Sequence, residues 1–402
     1  MYRDEALHED VLHLLAGLSA PRARAPLLHG AEAARALEIA QHVYAASFAR
    51  LAQIAGPPES LARYGGAALV AESLVRAGAG DEAQLRTALR EALVFAPDRL
   101  SLTDGAAALT VVIDAVDPER TSFGAVRARL RDALTASLRA LPPGDPARSN
   151  SYDLLAGPAG RAAALGRTSG EPVEAFGAFA NAFANTLEAR LASADENVAA
   201  VNLSVSHGAA GILAALNLAL PEDRAVASRY VELLLRCAHV VDGAHRWGAV
   251  WRRGEIPTAR RAWCYQTAGI AAVVADRARI DGDAALHALA ADALAALLDA
   301  PEPAATRADF GLCHGRSGIA TLASRFAGDE RLVRRAEQLA REVLDGYDPR
   351  APLGYRLFNV RDGRLEDRAG FLDAALGIAQ FLIDAATAQE RRWLTLFGLL
   401  AD

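Results

Sequence analysis

Cysteine is scarce, with three residues in a chain of 402. That rules out a disulfide framework and predicts a reducing, cytoplasmic setting. Strand-favouring residues are thin as well. Aromatics make up 6%, while alanine and leucine dominate the 52% of the chain that is hydrophobic. Helix is therefore favoured over strand. The formal net charge is −6 and no long run of one sign occurs, which argues against a nucleic-acid groove or a polybasic membrane patch. No apolar stretch reaches the roughly 18 residues a membrane helix needs. The charged opening MYRDEALHED is not followed by the apolar core of a signal peptide.

What the chain does have is a recurring G-x-x-G turn. Clear copies are Gly157–Gly160, Gly208–Gly211 and Gly315–Gly318. Degenerate ones end at Gly269, Gly377 and Ala108, and a seventh at Gly66. The spacing of about fifty residues leaves room for two helices and their loops per repeat. Each turn opens an apolar stretch, such as Ile212 to Leu220, and a helix apolar on every face must be buried all round. Amphipathic segments such as Asp329 to Leu344 lie between them and read as outer helices. The pattern predicts an all-α fold, an α/α toroid: a seven-repeat, double-layer helical barrel over residues 1–402 as one domain. The clear repeats run from about 100 to 390, with N-terminal helices in 1–60. An open solenoid is the alternative. Glycine is expected where inner helices approach closely and turn tightly. All inner helices would then start on one face, aiming free N–H groups and partial positive charge at a central basin.

Two of the three cysteines occupy matching points of consecutive repeats. Cys264 in AWCYQTAGIA and Cys313 in FGLCHGRSGIA each stand two residues before the first place of their turn, and His314 follows Cys313. Two thiolates and one imidazole with a fourth position free form a zinc-site pattern. Cys237 has no such company and reads as packing. His207, like His314, directly precedes the first glycine of its turn and is expected to face the same basin. Asp104 and Asp373 hold the equivalent place and read as N-caps.

The segments Ser-His-Gly-Ala-Ala-Gly at 206–211, Trp-Cys-Tyr at 263–265 and Cys-His-Gly at 313–315 together resemble the lanthionine synthetase C-like family, the lanthipeptide cyclases. The resemblance implies a seven-repeat α/α barrel with Zn²⁺ on Cys264, Cys313 and His314. It also implies catalytic positions at His207, Arg260, Asp153 and Tyr265. The family usually has Gly after Trp-Cys-Tyr, and Pro before the next glycine; Gln266 and Ala268 stand here instead, which bears on substrate choice more than on metal binding. The implied reaction adds a cysteine thiol of a dehydrated precursor peptide to dehydroalanine or dehydrobutyrine, forming a thioether ring. A free thiol is mostly protonated near neutral pH, and zinc favours loss of that proton. His207 would then protonate the enolate, Arg260 would stabilise its charge, and Asp153 would orient or charge-balance His207 or Arg260. The implied partners are a leader-plus-core precursor and a separate dehydratase in a transient complex, with no nucleic acid and no membrane span. Addition of a small thiol such as glutathione to an electrophile, and a non-catalytic zinc-stabilised peptide scaffold, are the rival readings.

Overall fold

A computed structural model describes residues 25–53, 64–94, 99–166, 171–195, 198–301, 309–358 and 363–402. Its described helices alternate between two layers. The outer layer consists of α1 (Gly30–Gln53), α3 (Glu82–Val94), α5 (Gly124–Arg139), α7 (Glu171–Ala192), α9 (Arg224–Arg236), α11 (Ala284–Asp299) and α13 (Glu330–Asp345). The inner layer consists of α2 (Gly66–Arg76), α4 (Ala106–Val116), α6 (Pro158–Leu165), α8 (Ala209–Ala219), α10 (Thr267–Asp281), α12 (Arg316–Ser324) and α14 (Ala375–Ala386). Each inner helix packs on the next, and α14 packs on α2, so the inner layer is a closed ring. The arrangement is the α/α toroid expected from the repeats, and the open solenoid is excluded.

Side-chain pattern decides the layer. In α13 the buried residues Leu332, Ala336, Leu339, Ala340, Val343 and Leu344 recur at helical spacing, with charges on the opposite face. Asp329 caps that helix by accepting from the backbone N–H groups of Arg331 and Leu332. In α8 every residue except Leu218 is buried, because the helix has neighbours on all sides. Burying one such leucine is worth about 1.5–3 kcal/mol. The ring is closed by chain ends far apart in sequence: α1, the first described helix, is the outer partner of α14, the last.

Short strands decorate the loops. β1 (Val201–Asn202) pairs antiparallel with β4 (Val250–Trp251), β2 (His239–Val241) with β3 (Ala244–Arg246), and β5 (Leu357–Phe358) with β6 (Leu365–Glu366). Inside the ring, the segment after α14 forms a plug. Trp393, Leu394, Leu396, Phe397 and Leu399 are buried there. The Trp263 ring centroid lies 4.2 Å from that of Phe397, and Trp263 Nε1 donates to the Phe397 carbonyl at 2.9 Å. The plug is locked by buried charge. Asp276 accepts from Arg325 at 2.6 Å and from the Leu400 N–H at 3.0 Å, while Arg391 donates to both oxygens of Asp402 at 2.7 and 2.6 Å. The barrel is thus filled beneath the turns, leaving chemistry to the face where the inner helices begin. Among the described residues no helix is long and apolar enough to cross a membrane.

Candidate metal centre and its surroundings

Five of the turns that open the inner helices share one geometry that leaves no room for a Cβ at the last place. Ala108 takes that place in the α4 turn, and Gly66 packs against the Phe371 side chain instead. A Cβ on Gly160, Gly211, Gly269, Gly318 or Gly377 would sit 1.7–2.3 Å from the carbonyl oxygen six residues earlier. The same atom would crowd the neighbouring repeat, as at Gly160 against Leu102 and Gly269 against Val205. Fold-back of the turn and inner-helix crowding both contribute.

Backbone hydrogen bonds link successive turns around the basin. Leu102 N–H donates to Leu155 O at 2.8 Å, Ser206 to Cys264 at 3.2 Å, Trp263 to Cys313 at 3.0 Å and Cys313 to Leu372 at 2.8 Å. Cys264 and Cys313 belong to this ladder, and so both are fixed by backbone on the rim. The position one residue on holds Asp104, Ala156, His207, Tyr265, His314 and Asp373 in successive repeats. Asp104 and Asp373 are not helix caps, contrary to expectation: the N-cap residues are Gly105 and Ala374, without a side-chain cap bond. Each aspartate instead pairs at 2.5 Å with an arginine five residues before it, Arg99 or Arg368. Asp104 also accepts from the hydroxyls of Ser101 and Thr103.

The structure brings the three expected ligands together. Sγ of Cys264, Sγ of Cys313 and a ring nitrogen of His314 all lie within 4.8 Å of one another. Cys264 is buried and Cys313 partly covered. Cys313 Sγ is 3.6 Å from His314 Nε2. Two ligands of a tetrahedral zinc ion, one sulfur and one nitrogen, stand about 3.5 Å apart, so the donor set and its spacing fit Zn²⁺. The hydrogen bond that the Cys313 S–H donates to Cys264, followed by burial, pushes the Cys313 thiol well above its usual range. For His314 burial is the largest influence and pulls it down, but Cys313 and Asp309 lift it to a net rise. A divalent ion, displacing those protons, would relieve the crowding of the sulfurs.

His207 and Asp153 form a pair beside this cluster. His207 Nδ1 is 2.6 Å from Asp153 Oδ2, with His207 31% exposed and Asp153 1%. The other carboxylate oxygen of Asp153 accepts from the N–H groups of Ala156 and Gly157 at 2.8 and 2.7 Å. Asp153 therefore stabilises the α6 turn and orients His207 at once, and its partner is His207, not Arg260. With Nδ1–H given to the carboxylate, Nε2 is left for the basin. The Tyr265 ring stands between the two histidines, 6.3 Å from His207 and 6.2 Å from His314 by centroid. Burial, then the charges of Cys264 and Cys313, push its hydroxyl up.

Arg260 and Arg261 separate although adjacent. Arg261 donates to the carbonyls of Leu298 and Ala300 at the end of α11, whereas the Arg260 charge acts on Tyr265 and His314. Cys237, buried at the end of α9 with its thiol pushed up to about 12 by burial, belongs to packing.

Two residues here escaped sequence reasoning. Ser206 donates its hydroxyl to the Cys264 carbonyl at 3.0 Å. Asp309, raised by burial, acts on His314 and accepts from Gly311 N–H at 2.9 Å. Asn202 holds the same place in its own repeat and accepts from Ser204 N–H at 3.0 Å; that shared Asx turn was the available signal.

Gln266 departs from the other turns. The glycines at its place have negative φ, and a Cβ on Gly105, Gly157 or Gly315 would fall 2.4 Å from a backbone nitrogen four residues earlier. A residue with a Cβ therefore shifts the local geometry, and the two that stand here do so differently. Ala374 stays fully extended, while Gln266 adopts φ 68°, ψ −158°, a region nearly reserved for glycine that costs about 1–3 kcal/mol.

Comparison with known proteins yields likenesses of two kinds. A family profile described as "Lanthionine synthetase C-like protein" matches residues 84–397. Among solved structures the chain is similar to one named "Nisin cyclase", with a TM-score of 0.65 and 15% sequence identity over 90% of this chain and 97% of that one. At that identity the likeness speaks for the fold. Among curated proteins none matches.

Proposed function

This chain belongs to the lanthionine synthetase C-like family, and on that premise we propose that it is a zinc-dependent lanthipeptide cyclase. It would add cysteine thiols of a precursor peptide to dehydroalanine or dehydrobutyrine within the same peptide. The carrying observation is the cluster of Cys264, Cys313 and His314 within 4.8 Å, with the oriented His207–Asp153 pair on the same rim. Cys264, Cys313 and His314 would hold the ion. When bound, zinc supplies acidification of an incoming thiol, so that sulfur reacts as the thiolate.

The remaining work falls to the protein. Asp153 keeps the His207 ring in one tautomer, and Nε2 moves the proton that the α-carbon acquires after addition. Arg260 places positive charge where the enolate oxygen develops its negative charge. Tyr265 walls the space between the histidines and limits the poses a ring-closing peptide adopts. The substrate arrives already dehydrated, so the reading includes a separate dehydratase as a transient partner and binding of the leader outside the basin.

Incubation with a dehydrated, cysteine-containing precursor tests this. Cyclisation leaves the mass unchanged, so free thiols are counted by alkylation. Zinc-loaded wild type should consume them. Cys313→Ala should lose metal and activity together, whereas His207→Ala should retain zinc and slow product formation by about 10²-fold or more. Zinc-loaded wild type that leaves every thiol free would refute the reading.

A further inference from the structure

The strap joining β4 to α10 crosses beside the metal cluster without regular secondary structure from 252 to 262. It carries Arg260, and Ile256 on it is 73% exposed. Gln266 reaches back to this strap twice. Its Oε1 accepts from the Arg260 backbone N–H at 3.2 Å, and its Nε2 donates to the Thr258 hydroxyl at 3.2 Å. Both bonds come from a residue whose backbone sits where glycine alone is at ease. Glycine would carry the same turn without strain, and it would also leave Thr258 and the Arg260 amide untied. Arg261 is anchored the other way, onto the end of α11, so the strap is pinned on both sides of the point where the Arg260 side chain departs.

We propose that Gln266 is a positioning residue: its amide clamps the 258–260 strap against the turn behind Cys264 and holds Arg260 toward the basin. The inference rests on the cyclase reading for its catalytic consequence, but the clamp itself is a property of this chain. A local strain is retained because the side chain that causes it orders the segment bearing a cation.

The test uses full-length, zinc-loaded protein and the variants Gln266→Gly, Gln266→Ala and Gln266→Glu. Hydrogen exchange across 255–262 is measured without peptide, metal content and thermal midpoint alongside, and kcat and KM with a dehydrated precursor. Gln266→Gly should keep its zinc, raise its thermal midpoint, exchange the Arg260 amide at least about ten-fold faster, and lose about ten-fold in kcat with KM unchanged. Gln266→Ala should show the same exchange and kcat without the gain in midpoint. Gln266→Glu, whose carboxylate accepts from both the Arg260 N–H and the Thr258 hydroxyl, should restore protection. Wild-type exchange at Arg260 in Gln266→Gly overturns the clamp, and faster exchange with unchanged kcat overturns its positioning role. A zinc-loaded wild type that fails to cyclise overturns the reaction assigned above, and the clamp is then decided by exchange alone.

Discussion

The proton balance of single side chains would govern metal binding at the cluster of Cys264, Cys313 and His314. Cys313 is pushed up by its contact with Cys264 and by burial, and His314 is raised in net. Both must give up protons to hold a cation, since the ligand forms are thiolate and neutral imidazole. The sign follows directly: acidification favours the protonated, non-binding forms, so apparent zinc affinity should climb with pH and fall as the medium is acidified. Competition against a chromophoric chelator across a pH series reads this, and affinity independent of pH would contradict it. The clustering of Cys264, Cys313 and His314 was legible in the sequence because a cysteine in one repeat had a counterpart two residues before the next turn. His207 was legible for a similar reason. The Asp153–His207 bond was expected only through the resemblance, with Arg260 left open as the other partner, because it joins residues 54 apart through a turn geometry that no spacing encodes. The positive φ of Gln266 was equally hidden, since Ala374 at the same place of its own turn stays extended.

For the inner helices, the opening turn is the unit that folds correctly or fails. Gly318 has the least room of its series, with a Cβ falling 1.7 Å from the Leu312 carbonyl oxygen. Gly318→Ala should therefore destabilise by more than about 2 kcal/mol, a backbone displacement that a single methyl forces. Gly124, the first residue of α5, has nothing within 4 Å of that position. Gly124→Ala should be neutral or stabilising by up to about 1 kcal/mol. Paired urea melts compare the two, and equal effects would remove the steric account of the repeat glycine. The two helical layers were readable from hydropathy alone, as in α8 against α13. The short strands were not: pairs of two or three residues leave no alternation to detect.

Over the whole molecule, the ring needs its filling. The plug after α14 is tied to α10 and α12 through Asp276, Arg325, Arg391 and Asp402, all with little or no exposure. Arg391→Ala would strand part of that buried charge and should lower stability by about 3–5 kcal/mol. A loss of unfolding free energy of less than about 1 kcal/mol in a denaturant melt would reduce the cluster to the weight of a surface pair. Closure has a further consequence in time. The apolar stripe of α1, with Ile39, Val43, Tyr44 and Leu51, is covered by α14. A ribosome must add on the order of 300 residues between them. During synthesis that stripe waits, exposed to chaperones and to the wrong neighbours, until α14 emerges and works as the clasp of a bracelet.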